Sequence, residues 1–131
     1  MVARITLVKV RRIPDQNVNQ DLQWLGTSLG LFNLRDRSSS CFRVFITLVK
    51  KSRGNESLSS DEIADKLHLS RGTVVHHLVK LMESGIVVKE QQGYILRESN
   101  LQKLIHDLQR DMDSLFTELK EVADDIDGKL G

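Results

Sequence analysis

The run Ser70-Arg71-Gly72-Thr73-Val74-Val75-His76-His77, followed by Lys80, holds the residues of this chain best suited to chemistry with another molecule. They are hydrogen-bond donors rather than nucleophiles. An arginine fork can make two bonds to one guanine edge, and a threonine hydroxyl or a histidine ring can bond a base or phosphate. A valine methyl can touch the methyl of thymine. The pattern is that of a surface that reads double-stranded DNA, not of one that breaks a bond.

Helical spacing from Ser70 onward divides the run into two faces. Val74, His77, Leu78 and Leu81 stand at i, i+3, i+4 and i+7, the spacing of a buried stripe. Arg71, Thr73, His76 and Lys80 fall on the opposite side, with Val75 at the border. Gly72 in the first turn is poor for helix stability, yet it lets a base or phosphate approach the backbone closely. A tolerated glycine at a fraying helix end is the other account of it. The candidate DNA-contacting set is thus Ser70, Arg71, Gly72, Thr73, Val75, His76 and Lys80.

Two helices must position that set. Ser59 followed three residues later by Glu62 is a capping-box signature, in which each side chain satisfies the other residue's orphan amide. The helix it opens carries Ile63, Ala64 and Leu67 on one face, with Asp61, Glu62, Asp65 and Lys66 outside. Ser70 is a second N-cap, leaving His68-Leu69-Ser70 as the turn, short enough to cross two helices steeply. Gly85 then closes the second helix. Beyond it, Ile86-Val87-Val88-Lys89-Glu90-Gln91-Gln92-Gly93-Tyr94-Ile95-Leu96 places two β-prone runs around a loop, the pattern of a hairpin.

A helix-turn-helix followed by a hairpin is the winged-helix order. From Arg43 to about Leu96 the chain resembles the arsenic-repressor-type (ArsR-like) winged-helix regulators, most specifically in SRGTVVHHLVKLMESGIV. The resemblance implies base or phosphate contacts from Arg71, Gly72, Thr73, Val75 and His76. It departs at Gly72, where many relatives have proline, and at Val75, where they often have serine, which leaves base preference open. Metal-sensing relatives carry paired cysteines in the third helix, or an aspartate two before a histidine on the last helix. The first is absent here, and two before His106 stands Leu104.

No metal, cofactor or effector is therefore assigned. Adjacent His76 and His77 diverge by about 100° on a helix and cannot easily share one ion. There is no glycine-rich phosphate loop after a strand, no nucleophile elbow and no paired-carboxylate pattern, so no enzyme is expected. The single Cys41 excludes an internal disulfide and suits a reducing cytoplasm. No apolar run approaches a membrane span, and MVARITLVKVRRIP is too short and too charged for a signal peptide.

With 131 residues and a net charge of +1, the chain is no bulk polycation. Charge is instead segregated. Residues 1–55 hold ten Lys or Arg against three Asp or Glu, residues 56–97 five against six, and residues 98–131 four against nine. A basic front can meet phosphates while an acidic tail points away.

The flanks supply the remaining elements. Residues 3–13 alternate loosely, with Lys9, Arg11 and Arg12 among them, and are expected to form a strand ended by Pro14. Leu22, Leu25, Leu29 and Phe32 recur at helical spacing beside Trp24, though Gly26 and Gly30 weaken that helix. Asn33 to Ser40 is a polar connection. The serines Ser38-Ser39-Ser40 are expected to cap a helix whose stripe is Phe42, Phe45, Ile46 and Val49, with Arg53-Gly54-Asn55 as its exit.

From Asn100 to Ile126 a long amphipathic helix is predicted. Leu101, Leu104, Leu108, Met112, Leu115, Leu119, Val122 and Ile126 recur every three or four residues, and Ile105 and Phe116 widen the stripe. At ~1.5 Å per residue it is about 40 Å long, more apolar edge than a small body covers. A second copy of the chain is the simplest cover, giving a homodimer through those eight residues. The alternative is a fold-back over the N-terminal segment.

The expectation is a mainly α protein with a small β-hairpin: an N-terminal strand/helix extension (1–37), a winged helix-turn-helix (38–97) and a C-terminal dimerisation helix (98–131). Its expected function is sequence-specific double-stranded DNA binding by a homodimeric transcriptional regulator, with helix 70–83 in the major groove and half-sites about 34 Å apart. The rival is a winged-helix protein-interaction module. RNA binding is weaker, because no aromatic platform for stacked bases is visible.

Overall fold

The computed structural model describes residues 4–14, 17–32 and 39–131. Five helices and one antiparallel hairpin follow in the order α1 (Val18–Ser28), α2 (Ser40–Ser52), α3 (Ser60–Leu67), α4 (Arg71–Glu83), β1 (Val87–Glu90), β2 (Gly93–Leu96) and α5 (Leu101–Leu130). Mainly helical architecture with a hairpin directly after the helix-turn-helix is what the sequence pattern predicts.

One core holds the chain together. Phe45, Val44 and Leu48 of α2 are fully buried against Ile63 of α3, Val74, Leu78 and Leu81 of α4, Ile86 before β1, and Leu104 of α5. Leu31, just after α1, joins the same cluster. The hairpin pairs Val87 with Leu96 and Glu90 with Gly93. Its outer edge is tied to the body twice: Leu58 and Tyr94 exchange backbone hydrogen bonds (3.0 and 2.7 Å), and the Leu96 amide donates to Ser52 Oγ (3.0 Å).

The N-terminal segment differs from the expected strand over 3–13. Among the described residues, 4–13 run without regular structure and join no sheet. The Arg4 amide donates to the Glu83 carbonyl (2.7 Å) and the Val8 amide to the Ser28 carbonyl (2.8 Å). Glu83 and Ser28 are the last residues of α4 and α1. The segment therefore spends its amides on the orphan carbonyls of two helix ends, which compete successfully with a sheet edge.

Helix α1 begins with a capping box missed in the sequence, in which the Gln20 amide donates to Asn17 Oδ1 (2.8 Å) and the Asn17 amide to Gln20 Oε1 (3.2 Å). It stops at Ser28, short of the full Leu22–Phe32 spacing, because Gly30 takes a left-handed turn (φ 68°). Gly26 does more than weaken the helix. A Cβ there would lie 1.8 Å from Phe32 Cζ, so the bare backbone is the seat of the Phe32 ring, which in turn meets Phe42 edge-on at 5.3 Å.

The expected serine cap of α2 is not made. Ser39 occupies the N-cap position in a left-handed conformation (φ 50°) without a side-chain cap bond, and Ser38 lies outside the described residues. The helix is held by burial instead, and Ile46 of the predicted stripe is only half-buried while Val44 and Leu48 take the centre. Cys41 is buried, its thiol donating to the Leu31 carbonyl (3.3 Å).

Helix α5 starts at the cap Asn100, whose Oδ1 accepts from the Lys103 amide (2.8 Å), and runs 30 residues. Among the described residues no helix is long and apolar enough to cross a membrane.

Candidate nucleic-acid interface

The helix-turn-helix is assembled by its caps. The Glu62 amide donates to Ser59 Oγ (3.1 Å) and the Ser59 amide to Glu62 Oε1 (3.2 Å), the reciprocal box that the spacing predicts. His68 ends α3 in the left-handed region (φ 55°), a conformation that costs a non-glycine residue free energy. Two bonds hold the turn that requires it: the Leu69 amide to the Ala64 carbonyl (3.0 Å), and Arg43 Nη2 of α2 to the Leu67 carbonyl (2.6 Å). The Arg43 contact was not legible in the sequence, since a basic residue on α2 shows no partner until the helices cross.

Ser70 then caps α4, its Oγ accepting from the Thr73 amide (3.1 Å). The same hydroxyl donates to Thr73 Oγ1 (2.8 Å), which leaves the Thr73 proton available to an outside acceptor. Arg71 and Gly72 are exposed at the amino end, His76 and Lys80 are exposed further along, and Thr73 and Val75 are half-buried. A Cβ on Gly72 would meet nothing within 4 Å. Nothing inside the chain requires a glycine there.

Arg71 carries a partner the sequence did not reveal: its Nε lies 3.4 Å from Asp61 Oδ1 at the start of α3. Both side chains are more than 70% exposed, so the pair is a surface contact that solvent and salt weaken. His76 and His77 part company. Their rings touch edge-on with centroids 5.6 Å apart, but His77 turns inward, its Nε2 2.7 Å from Ser40 Oγ of α2, while His76 faces out. Together these contacts leave an exposed helix end with one guanidinium, one free-facing imidazole, a hydroxyl donor and a bare stretch of backbone.

The wing contributes less. Lys89 leans over the Tyr94 ring at 5.8 Å, and Glu90 is exposed beside it. Arg97, the residue that follows β2, is turned toward α5. Its Nη1 donates to Asp111 Oδ2 (2.6 Å) and its Nε lies 3.6 Å from Asp107 Oδ2. Arg110 also bonds the buried Asp107. The hydrogen bond from Arg97 holds the Asp111 carboxyl below its ordinary value, although desolvation opposes this. Glu98 moves the other way, its pKa raised chiefly by a hydrogen bond to Asp107. This clasp fastens the wing's end to α5.

Of the basic N-terminal residues, Lys9, Arg11 and Arg12 are exposed. Arg12 sits over the Trp24 ring at 5.8 Å, and Trp24 Nε1 donates to the Val10 carbonyl (3.0 Å). Lys9 and Arg11 lie on the same exposed segment.

The apolar stripe of α5 divides in two. Leu104 and Leu108, expected to face a second copy, are buried in the chain's own core, and Leu101 is partly buried against it. The physical reason is that the first two turns lie across the open side of the winged helix. Met112 is half-buried at the exit. Leu115, Leu119, Val122 and Ile126, with Phe116, stand about half-exposed, from 48% to 56%.

Against known families, residues 50–89 match one described as "Bacterial regulatory protein, arsR family". The matched stretch runs from the last turn of α2 through α3 and α4 into β1, the part in which the sequence resemblance was most specific. These residues are an arsR-family helix-turn-helix domain, of the kind carried by DNA-binding transcriptional regulators, and the family is not enzymatic. No curated protein matches the chain.

Proposed function

We propose, from the arsR-family helix-turn-helix at residues 50–89, that this protein binds double-stranded DNA sequence-specifically as a homodimeric regulator of transcription. The single observation that carries this reading is the amino end of α4. Arg71, Gly72 and His76 are exposed, and no other part of the described chain covers them.

In mechanism, α4 lies in the major groove with its first two turns against base edges. Arg71 makes a bidentate contact to guanine O6 and N7, and Thr73 and His76 add hydrogen bonds. Val75 touches a thymine methyl at the border of the helix face. The bare Gly72 lets the backbone approach, and the Ser70 cap fixes the helix start. Lys80 and the basic N-terminal segment meet phosphates, which position the protein without specifying sequence. The exposed half of α5 pairs two copies, so that two recognition helices address half-sites about one turn of DNA apart.

The test is binding of the full chain to DNA sequences selected from a random pool and to random duplex, across a salt range. Selection of a two-fold related motif, with affinity for random duplex falling steeply as salt rises, supports the reading. Absence of any binding at low salt overturns it.

One observation favours a second reading. Asp61, Glu62 and Asp65 are all exposed on α3, an acidic surface beside the candidate DNA face. A protein-interaction module would tolerate that surface, whereas phosphates oppose it. Under that reading Arg71 serves a partner protein, and no duplex is selected from the pool.

A further inference from the structure

The segment from Arg4 to Arg12 meets the body at alternate residues. The Arg4 amide donates to the Glu83 carbonyl at the end of α4 (2.7 Å), and the Val8 amide to the Ser28 carbonyl at the end of α1 (2.8 Å). Between them Thr6 is seated against Gly30, where an added Cβ would lie 2.9 Å from the Thr6 Cβ. The Val10 carbonyl accepts from Trp24 Nε1 (3.0 Å). Tie points at residues 4, 6, 8 and 10 follow the two-residue period of an extended chain, and Arg12 is next in that series. The segment is a strap, with one end on the candidate recognition helix and the other beside Trp24.

The Arg12 end of the strap forms one side of a groove of about 320 Å³. Leu22 and Leu25 of α1 and Leu101, the first residue of α5, give the groove an apolar lining, and the Trp24 indole adds an aromatic face. Two opposite charges, Arg12 and Asp21, line the same groove. Among the described residues neither forms an ion pair. The Arg12 guanidinium instead lies 5.8 Å from the centre of the Trp24 ring.

An apolar hollow carrying two unpaired charges of opposite sign complements one kind of small molecule. A carboxylate suits the guanidinium, which can grip it with two parallel bonds, and an ammonium suits Asp21. An apolar side chain between them covers the leucines and the indole. Small-molecule sites hold roughly 300–1,000 Å³, so this groove lies at the small end and fits a ligand the size of one residue. A fatty acid would leave Asp21 without a counter-charge, and an organic amine would leave Arg12 without one. We propose that the groove binds a free α-amino acid with an apolar side chain, of leucine or phenylalanine size, and that the strap carries its occupancy to α4. The coupling to α4 rests on the DNA binding proposed above, whereas the amino-acid site stands independently of it.

The coupling follows from which parts the ligand bridges. Arg12 belongs to the strap, while Asp21, Leu22 and Leu25 belong to α1 and Leu101 to α5. A molecule held by both sides fixes that end of the strap. The bonds at Val10, Val8 and Arg4 then bear on the carboxyl end of α4, and through that helix on its exposed amino end. A ligand shifts such an arrangement only by its differential affinity for the alternatives. The effect is reciprocal, so bound DNA must change the affinity for the amino acid by the same factor.

Trp24 is the only tryptophan, so its fluorescence reports on the groove in the full chain. Leucine and phenylalanine are titrated without DNA, beside 4-methylpentanoate and 3-methylbutylamine, which lack the ammonium and the carboxylate of leucine respectively. The expected result is saturable binding of both amino acids, with each analogue weaker by about tenfold or more, the loss of one charge-assisted pair. Asp21→Asn should weaken leucine without weakening 4-methylpentanoate, and Arg12→Gln should weaken both. No saturable signal up to about 10 mM, or an analogue that binds as tightly as leucine, overturns the site. Affinity for selected and random duplex is then measured with and without saturating leucine. A change of about fivefold or more supports the coupling, and unchanged affinity overturns it. A chain that binds leucine but no duplex at low salt removes the DNA-binding reading and the coupling with it, while the amino-acid site stands.

Discussion

Arg71 Nε lies 3.4 Å from Asp61 Oδ1, joining the first turn of the candidate recognition helix to the first turn of the helix before it. The carboxylate lies on the Nε side of a guanidinium that remains largely exposed. On the proposed DNA face it also places a negative charge that would oppose phosphates. Asp61→Ala should therefore raise affinity for random duplex several-fold at low salt, as measured by titration. Thermal stability should stay within about 0.5 kcal/mol, because an exposed pair contributes little.

Arg71→Ala addresses the readout itself. Loss of a bidentate base contact costs about 1 to 3 kcal/mol of discrimination. The variant should bind a selected sequence and random duplex with nearly equal affinity while keeping its oligomeric state. Retention of full specificity at physiological salt would remove Arg71 from the mechanism.

Gly72→Ala separates folding from binding. The added Cβ meets nothing in the chain, and alanine is the better helix former by up to about 1 kcal/mol. The expected outcome is a slightly higher melting temperature together with weaker DNA binding, since in the proposed mechanism the methyl would stand where DNA approaches. Unchanged affinity would show that the backbone is not approached closely.

Truncation of α5 must respect the division of its stripe. A chain ending at Asp113 keeps Leu104 and Leu108 in the core and should fold as a monomer, with DNA affinity reduced at least tenfold. Leu104→Ala, by contrast, should cost about 2 to 5 kcal/mol of stability, the usual price of a cavity at a fully buried leucine. Circular dichroism and sedimentation distinguish the two effects.

The clasp at Arg97 makes stability depend on pH in a predictable direction. The hydrogen bond from Arg97 lowers the Asp111 pKa in the folded chain, so its contribution is fully present above the ordinary aspartate value of about 3.9 and is lost as pH falls through the folded value. Asp111→Asn should flatten the loss of stability on the acid side, as followed by thermal melts at falling pH. Glu98, raised by its bond to Asp107, acts oppositely: its contribution is present at low pH and fades as pH rises through its folded value. Arg97→Ala removes both Asp111's bond and one partner of the buried Asp107, and should cost about 1 kcal/mol near neutrality.

What the sequence determined by itself is local. Ser59 and Glu62, Ser70, and the two β-prone runs around the loop that ends at Gly93 are short-range signals, and the elements they specify form within a few residues of each signal. The helix-turn-helix and its hairpin were legible for that reason, as was the length of α5. The tertiary structure alone decided what covers each face. An apolar spacing records that a surface seeks cover, not where the cover comes from, so Leu104 and Leu108 could not be told from Leu115 and Leu119 until α5 was laid on the body. The same holds for charge: Arg97 looks like a wing residue in the chain, and only its 2.6 Å approach to Asp111 makes it a clasp. The N-terminal segment has strand-like alternation, but its Arg4 and Val8 amides donate to the carbonyls of Glu83 and Ser28 at the ends of α4 and α1, and backbone hydrogen bonding goes to whichever unsatisfied partner is within reach.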